Sequence, residues 1–153
     1  MRLSYITIPL FVLAIALLGN TFTVPGLVWF DSLVLPAYTP PSWVFGFAWS
    51  IIYILATIGA ILLWKSTPRD PLWQHLGLLL VFNGFLNIFW TELFFYHHLI
   101  LQSLIEMVAL NLITLIIILL GWKRSRTASL LFVPYFLWVS FATYLTYGIL
   151  MLN

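Results

Sequence analysis

The sequence predicts an all-α integral membrane protein: a bundle of five transmembrane helices with a long first loop acting as a lid. Three observations carry that expectation. Of 153 residues, 63% are hydrophobic and 7% charged, against about 45–50% and about 25% in soluble domains, and the mean hydropathy is +1.10. Charges, prolines and polar clusters cut the chain into five apolar stretches, each near the roughly 20 residues that a bilayer core requires. All six lysines and arginines fall in segments that five spans place on one face. Such a chain cannot build a water-soluble surface. That excludes a soluble enzyme, a disordered tail and a nucleic-acid binder, which needs a basic face to meet phosphates. With no cysteine, disulfides, thiolate nucleophiles and Cys-ligated metals are excluded as well.

One domain, residues 1–153, accounts for the length. Its spans are read at about 3–19, 43–64, 72–95, 99–122 and 128–152, with the first loop at 20–42. Arg2 ahead of the first apolar run resembles a signal-peptide start. However, Gly19-Asn20-Thr21-Phe22 is a poor cleavage site and the run is longer than a signal core, so a retained helix is expected. The 20–42 connection is apolar for a loop, with Val24, Leu27, Val28, Trp29, Phe30, Leu33, Leu35 and Tyr38, and is expected to fold back over the helix ends. Pro40-Pro41 opens the second span, where a missing N–H costs little. Within that span Phe45, Trp49 and Tyr53 recur every four residues on one stripe, and Gly46 leaves space beside it.

The third span carries Asn83, Asn87 and Trp90 on one face. Buried amides in lipid need partners and face the bundle interior. Asn83 and Asn111 of the fourth span lie at similar depth, so a bond between them and a ligand contact both stand open for Asn83. Glu106 is read as structural, neutral or hydrogen-bonded to Ser103 or Gln102. The fifth span contains Pro134, which should bend it, and a stripe of Trp138, Ala142 and Leu145. Trp43, Trp64, Trp73 and Trp122 sit at span ends as interfacial anchors. Leucine and isoleucine run on without the alternation of barrel strands.

Arg2, Lys65, Arg69, Lys123, Arg124 and Arg126 share one side, and the other side has no lysine or arginine. The positive-inside rule then puts the N-terminus in the cytoplasm and the C-terminus outside. His97-His98 is read as a surface pair, because adjacent residues at a helix turn point different ways. No zinc motif, phosphate loop or Ser-His-Asp order is present, and no metal site is expected.

Several blocks then carry a resemblance: Trp29-Phe30-Asp31-Ser32-Leu33, Leu35-Pro36-Ala37-Tyr38-Thr39-Pro40-Pro41 and Gly46-x-x-Trp49-x-x-x-Tyr53. They continue in Asn83-x-x-x-Asn87-x-x-Trp90 and Leu93-Phe94-Phe95, and in Leu130-Leu131-x-x-Pro134-Tyr135-x-x-Trp138-x-x-Phe141-Ala142. In this order they resemble the TspO/translocator protein family, also called the peripheral benzodiazepine receptor family. The resemblance implies a five-helix bundle, often a homodimer, with a pocket beneath the first loop. It implies binding of tetrapyrroles (protoporphyrin IX, haem) and of isoquinoline or benzodiazepine ligands, as sensor or carrier, with no cofactor required. Light- and oxygen-dependent porphyrin breakdown is the alternative, with Trp49 and Trp138 as the catalytic pair; a small lipid or metabolite transporter is another.

The ligand-binding residues expected on this basis are Trp29, Phe45, Gly46, Trp49, Tyr53, Asn83, Asn87, Trp90, Trp138 and Ala142. The resemblance tips Asn87 toward the pocket. For a dimer contact, Ala56 with Ala60, or Gly77 with Gly84, supply small residues. The expected setting is a bacterial cell membrane. Two departures stand out. Leu145-Thr146-Tyr147 is followed by no basic residue, so cholesterol recognition through the motif of animal members is not expected. Leu35 and Tyr38 stand where many members have lysine and tryptophan, removing a cation that could meet a propionate.

Overall fold

The computed structural model describes residues 3–66 and 69–153; Arg2 lies outside the described residues. Five helices follow one another: α1 (Ser4–Phe30), α2 (Ser42–Ser66), α3 (Pro71–Thr91), α4 (Ile100–Trp122) and α5 (Arg126–Leu152), with a π-helical turn at Glu92–Tyr96 closing α3. All five spans are long and apolar enough to cross a membrane. They pack as a ring in the order α1, α2, α5, α4, α3, with α3 returning to α1. Leu17, Ile54, Phe85, Ile105, Leu112, Leu137 and Met151 face outward, while Asn83, Asn87, Thr114 and Ser129 are buried. Apolar side chains outside, with polar groups turned into a largely apolar core, are what lipid as the solvent selects.

The first helix corrects the expected boundary. It runs past Gly19 to Phe30, so the connection shrinks from 20–42 to Asp31–Pro41 and Trp29 belongs to a helix. Polar and proline residues there read as a loop signal, yet they are accommodated. The Thr21 and Thr23 hydroxyls donate to the Leu18 and Gly19 carbonyls of their own helix. Gly26 allows α1 to lie directly on the π-turn, since a Cβ there would meet the Phe95 carbonyl and Cβ at under 3 Å. Tertiary packing overrides local propensity.

At the opposite end of the bundle, Asp70 caps α3 by accepting from the Trp73 N–H at 3.1 Å, with Pro71 in the first turn. Its carboxylate also accepts from Arg124, and Lys65 donates to the Tyr5 hydroxyl. The start of α1, the α2–α3 turn and the α4–α5 turn therefore share one end. Ser125 caps α5, accepting from the Ala128 N–H. Pro134 lies inside the continuous α5.

Across the middle, one hydrogen-bond chain joins four helices. The Tyr53 hydroxyl donates to Asn87 Oδ1 (2.9 Å), Asn87 Nδ2 to the Tyr135 hydroxyl (3.0 Å), and the Tyr135 hydroxyl to Asn83 Oδ1 (3.1 Å). Asn83 Nδ2 then donates to Thr114 Oγ1 (2.9 Å), and the Thr114 hydroxyl to the Leu110 carbonyl (2.8 Å). Every donor points the same way along the chain. The expected bond between Asn83 and Asn111 is not made: Asn111 Nδ2 donates to Ser140 of α5 instead, at 2.7 Å. Asn111 lies on the α5-facing side of α4, and Thr114, nearly one turn on, meets Asn83. The small residues proposed for a dimer contact also pack internally. Ala60 is buried, and a side chain at Gly84 would meet Ile15 and Phe11 of α1.

Two outcomes follow. Tyr135→Phe strands Asn87 Nδ2 and Asn83 Oδ1 in the interior and should cost about 1–2 kcal/mol, more than Tyr53→Phe, which removes only the terminal donor; thermal unfolding in neutral detergent ranks the two, and equal losses would contradict the chain. For Asp70, the Trp73 N–H and then the Arg124 guanidinium hold the carboxyl below its ordinary value of 3.8. Its contribution is therefore complete above that value and is lost as pH falls through the depressed one. Asp70→Asn keeps the cap and loses the charge, so its melting-temperature deficit should close on acidification; a deficit independent of pH would refute the pairing.

Candidate functional site

Above the hydrogen-bond chain, on the side away from the basic turns, the helices enclose a cavity of about 450 Å³. Its aromatic wall is built from two stripes and a bridge. Phe45, Trp49 and Tyr53 come from one face of α2, and Trp138, Ala142, Leu145 and Ile149 from one face of α5, as four- and seven-residue spacings dictate. Trp90 of α3 closes the gap, 6.2 Å from Trp49, and Phe45 meets Trp138 edge-on at 5.9 Å. Gly46 borders the cavity, and a Cβ there would meet nothing within 4 Å. Tyr53 and Asn87 form the floor.

Of the ten expected residues, eight line this cavity: Phe45, Gly46, Trp49, Tyr53, Asn87, Trp90, Trp138 and Ala142. Asn83 lies below the floor, beside a second cavity of about 250 Å³ between α1, α2, α3 and α5, whose wall also includes Ile52, Ala60, Phe132 and Tyr135. Trp29 sits apart. Its indole stacks on His98 at 4.1 Å and packs edge-on against Phe94, which is itself part of the cavity wall. The extension of α1 carries Trp29 there, so it braces the wall from behind. The histidine pair is split as expected of neighbours, with His97 beside Glu92 at 3.5 Å and His98 in the left-handed region at φ 58°. Among the described residues, no group of three or more histidines and carboxylates could hold a metal.

The Asp31–Pro41 segment lies over this end. Val34 and Asn153 exchange two hydrogen bonds, at 3.0 and 3.1 Å, and Tyr38 stacks on Tyr144 at 5.0 Å. Leu33 and Leu35 pack against the buried cluster of Phe94, Leu145 and Ile149. The strap is thus fixed to the end of α5.

Polar side chains interrupt the apolar lining at Asn20, Thr23, Asp31, Ser42, Tyr53, Asn87, Thr91 and Thr146. The indole N–H groups of Trp90 and Trp138 are buried without a hydrogen-bond partner among the described residues. An unpaired buried donor costs free energy. Glu106, which lines neither cavity, has both carboxyl oxygens buried and unpartnered among the described residues, since Ser103 donates to the Ile100 carbonyl and Gln102 is exposed. The expected bond from Glu106 to either residue is not made.

Sequence reasoning missed Tyr135 as the hub between the asparagines, although it lies three residues before Trp138 on the same stripe. It also missed Thr91 and Thr146, which continue the Asn87 and Ala142 stripes by one turn and line the cavity. The arrangement offers an aromatic wall to a flat apolar ring system, with neutral polar side chains and Asp31 in the same lining.

The TspO/MBR family pattern matches residues 6–152. The chain is similar to the tryptophan-rich protein TspO of Archaeoglobus fulgidus, 33% identical over 149 residues that cover 93% of this chain and 92% of the relative. It is 35% identical to the TspO of Chlorobaculum tepidum over 144 residues, 92% and 90% of the two chains. The human translocator protein matches at 29% over 128 residues, 80% and 73% of the two chains. With the family pattern spanning the described bundle and its aromatic cavity, this chain belongs to the TspO/MBR family.

Proposed function

We propose that the protein binds tetrapyrroles such as protoporphyrin IX or haem, together with isoquinoline- and benzodiazepine-type ligands, in the upper cavity, as a sensor or carrier in a bacterial cell membrane. The observation that carries this reading is the convergence of Trp49, Trp90 and Trp138 on one strapped cavity of about 450 Å³. A flat, apolar ring system needs aromatic walls and a few placed polar groups, and Asn20, Thr23, Ser42 and Thr91 in the same lining supply neutral ones. No cofactor is required for binding. As in the resemblance, we take the working form to be a homodimer in membrane lipid.

A second reading rests on Trp49 and Trp138 both lining the cavity: an indole beside an excited porphyrin is readily oxidised, which suits light-dependent breakdown of the ligand. A transporter of small lipids or metabolites is less well supported, since no inverted repeat or pair of broken helices marks the chain.

In a spectral titration of purified protein, protoporphyrin IX should shift its Soret band and quench tryptophan emission saturably in darkness. Trp138→Phe keeps most of the wall but shrinks its aromatic face, and should weaken binding about three- to tenfold. No saturable change with the wild type would sink the reading. Under illumination, turnover that persists in the Trp49→Phe/Trp138→Phe double variant with binding intact would exclude these indoles as the reactive pair.

The orientation proposed for the bundle puts the Lys65, Arg124 and Arg126 end in the cytoplasm. The chain has no cysteine, so single reporters are clean. In intact cells a membrane-impermeant maleimide should label Ser32→Cys, and should reach Lys123→Cys only after permeabilisation; the reverse pattern would invert the topology.

A further inference from the structure

The upper cavity has one charged residue in its wall, Asp31, and among the described residues no lysine, arginine or histidine lines it. Asp31 is exposed at the end of α1, where its own N–H donates to the Leu27 carbonyl. It therefore adds a full negative charge to the negative end of a helix dipole. Among the described residues, no lysine or arginine lies at this end of the bundle to offset it. Lys65 is bound to Tyr5 and Arg124 to Asp70 at the other end of the bundle. A helix of that length spans about 35–40 Å, several times the roughly 8 Å over which salt screens exposed charges. His97 is beside Glu92 and His98 is stacked on Trp29, and the strap contributes Leu33 and Leu35.

We propose that Asp31 makes the upper cavity selective for flat aromatic ligands whose edge at the mouth is uncharged or cationic. The proposal rests on reading that cavity as a tetrapyrrole site. A ring carrying two carboxylates meets Asp31 if those groups stay at the mouth. If they turn inward they meet no cation among the described residues, only neutral side chains such as Asn20, Thr23 and Thr91, and burying a carboxylate without a cation is costly. A ring whose carboxylates are esterified avoids both costs, and one ending in amines gains the attraction of Asp31.

The test uses one ring with three edges: protoporphyrin IX, its dimethyl ester, and a diamide ending in two tertiary amines. Each is titrated by tryptophan quenching against the whole chain in zwitterionic nanodiscs, with empty discs as background. The wild type should bind the amine tightest and the dicarboxylate weakest. Asp31→Asn should narrow the amine-over-dicarboxylate ratio about three- to tenfold, as expected for a solvent-exposed charge, and Asp31→Lys should favour the dicarboxylate. Raising salt should narrow the wild-type ratio and leave that of Asp31→Asn nearly unchanged. Ratios that stay the same in both variants, with ring binding intact, would overturn the role of Asp31. If the wild type binds none of the three rings, the tetrapyrrole reading fails and this selectivity with it.

Discussion

A single line of hydrogen bonds sets the register of the bundle. In lipid, apolar packing gives helices little reason to prefer one rotation over another, but an unpaired amide in the interior costs free energy in every wrong arrangement. Tyr53, Asn87, Tyr135, Asn83 and Thr114 satisfy one another across α2, α3, α5 and α4 only when all four helices stand at their observed depth and angle. The chain also divides the interior. Tyr53 and Asn87 are the floor of the aromatic cavity and part of the wall of the smaller one below. With the Tyr53 hydroxyl and the Asn87 amide already paired within the chain, a ligand in the proposed site would be recognised by the residues above.

Charge is segregated along the same axis. The basic turns gather at one end, where Asp70 caps α3 and meets Arg124. The other end carries Asp31, Glu92 and the strap, which is tied to α5 through Val34 and Asn153. Orientation in the membrane and the electrostatics of the cavity mouth thus come from one asymmetry. The cations that would fix the protein in the bilayer are too far away to help hold an anionic ligand.

Much of this was legible in the sequence, for definite reasons. The five spans follow from bilayer thickness and hydropathy, and the stripes of α2 and α5 from helical spacing, so eight of the ten expected residues fall on one cavity. What failed depended on contacts between helices. Gly19 and Asn20 looked like a helix end, yet Gly19 packs near Thr91 and Gly26 against Phe95, and α1 continues between them; that extension removed Trp29 from the cavity. Depth alone suggested that Asn83 meets Asn111, but the rotation of α4 turns Asn111 to Ser140 and brings Thr114 to Asn83. Periodicity gives a face and does not give its neighbour. Spacing alone does not mark Tyr135 as the hub, because its role arises only where α5 meets α3 and its hydroxyl joins the two asparagines.

The account is tested most directly by the structure of the protein with protoporphyrin IX bound. It requires ring density between α2 and α5 above Tyr53 and Asn87, bordered by Trp49, Trp90 and Trp138, with the hydrogen-bond chain beneath unbroken. A ring lodged in the lower cavity, or lying on the lipid-facing surface with the aromatic cavity empty, would contradict it.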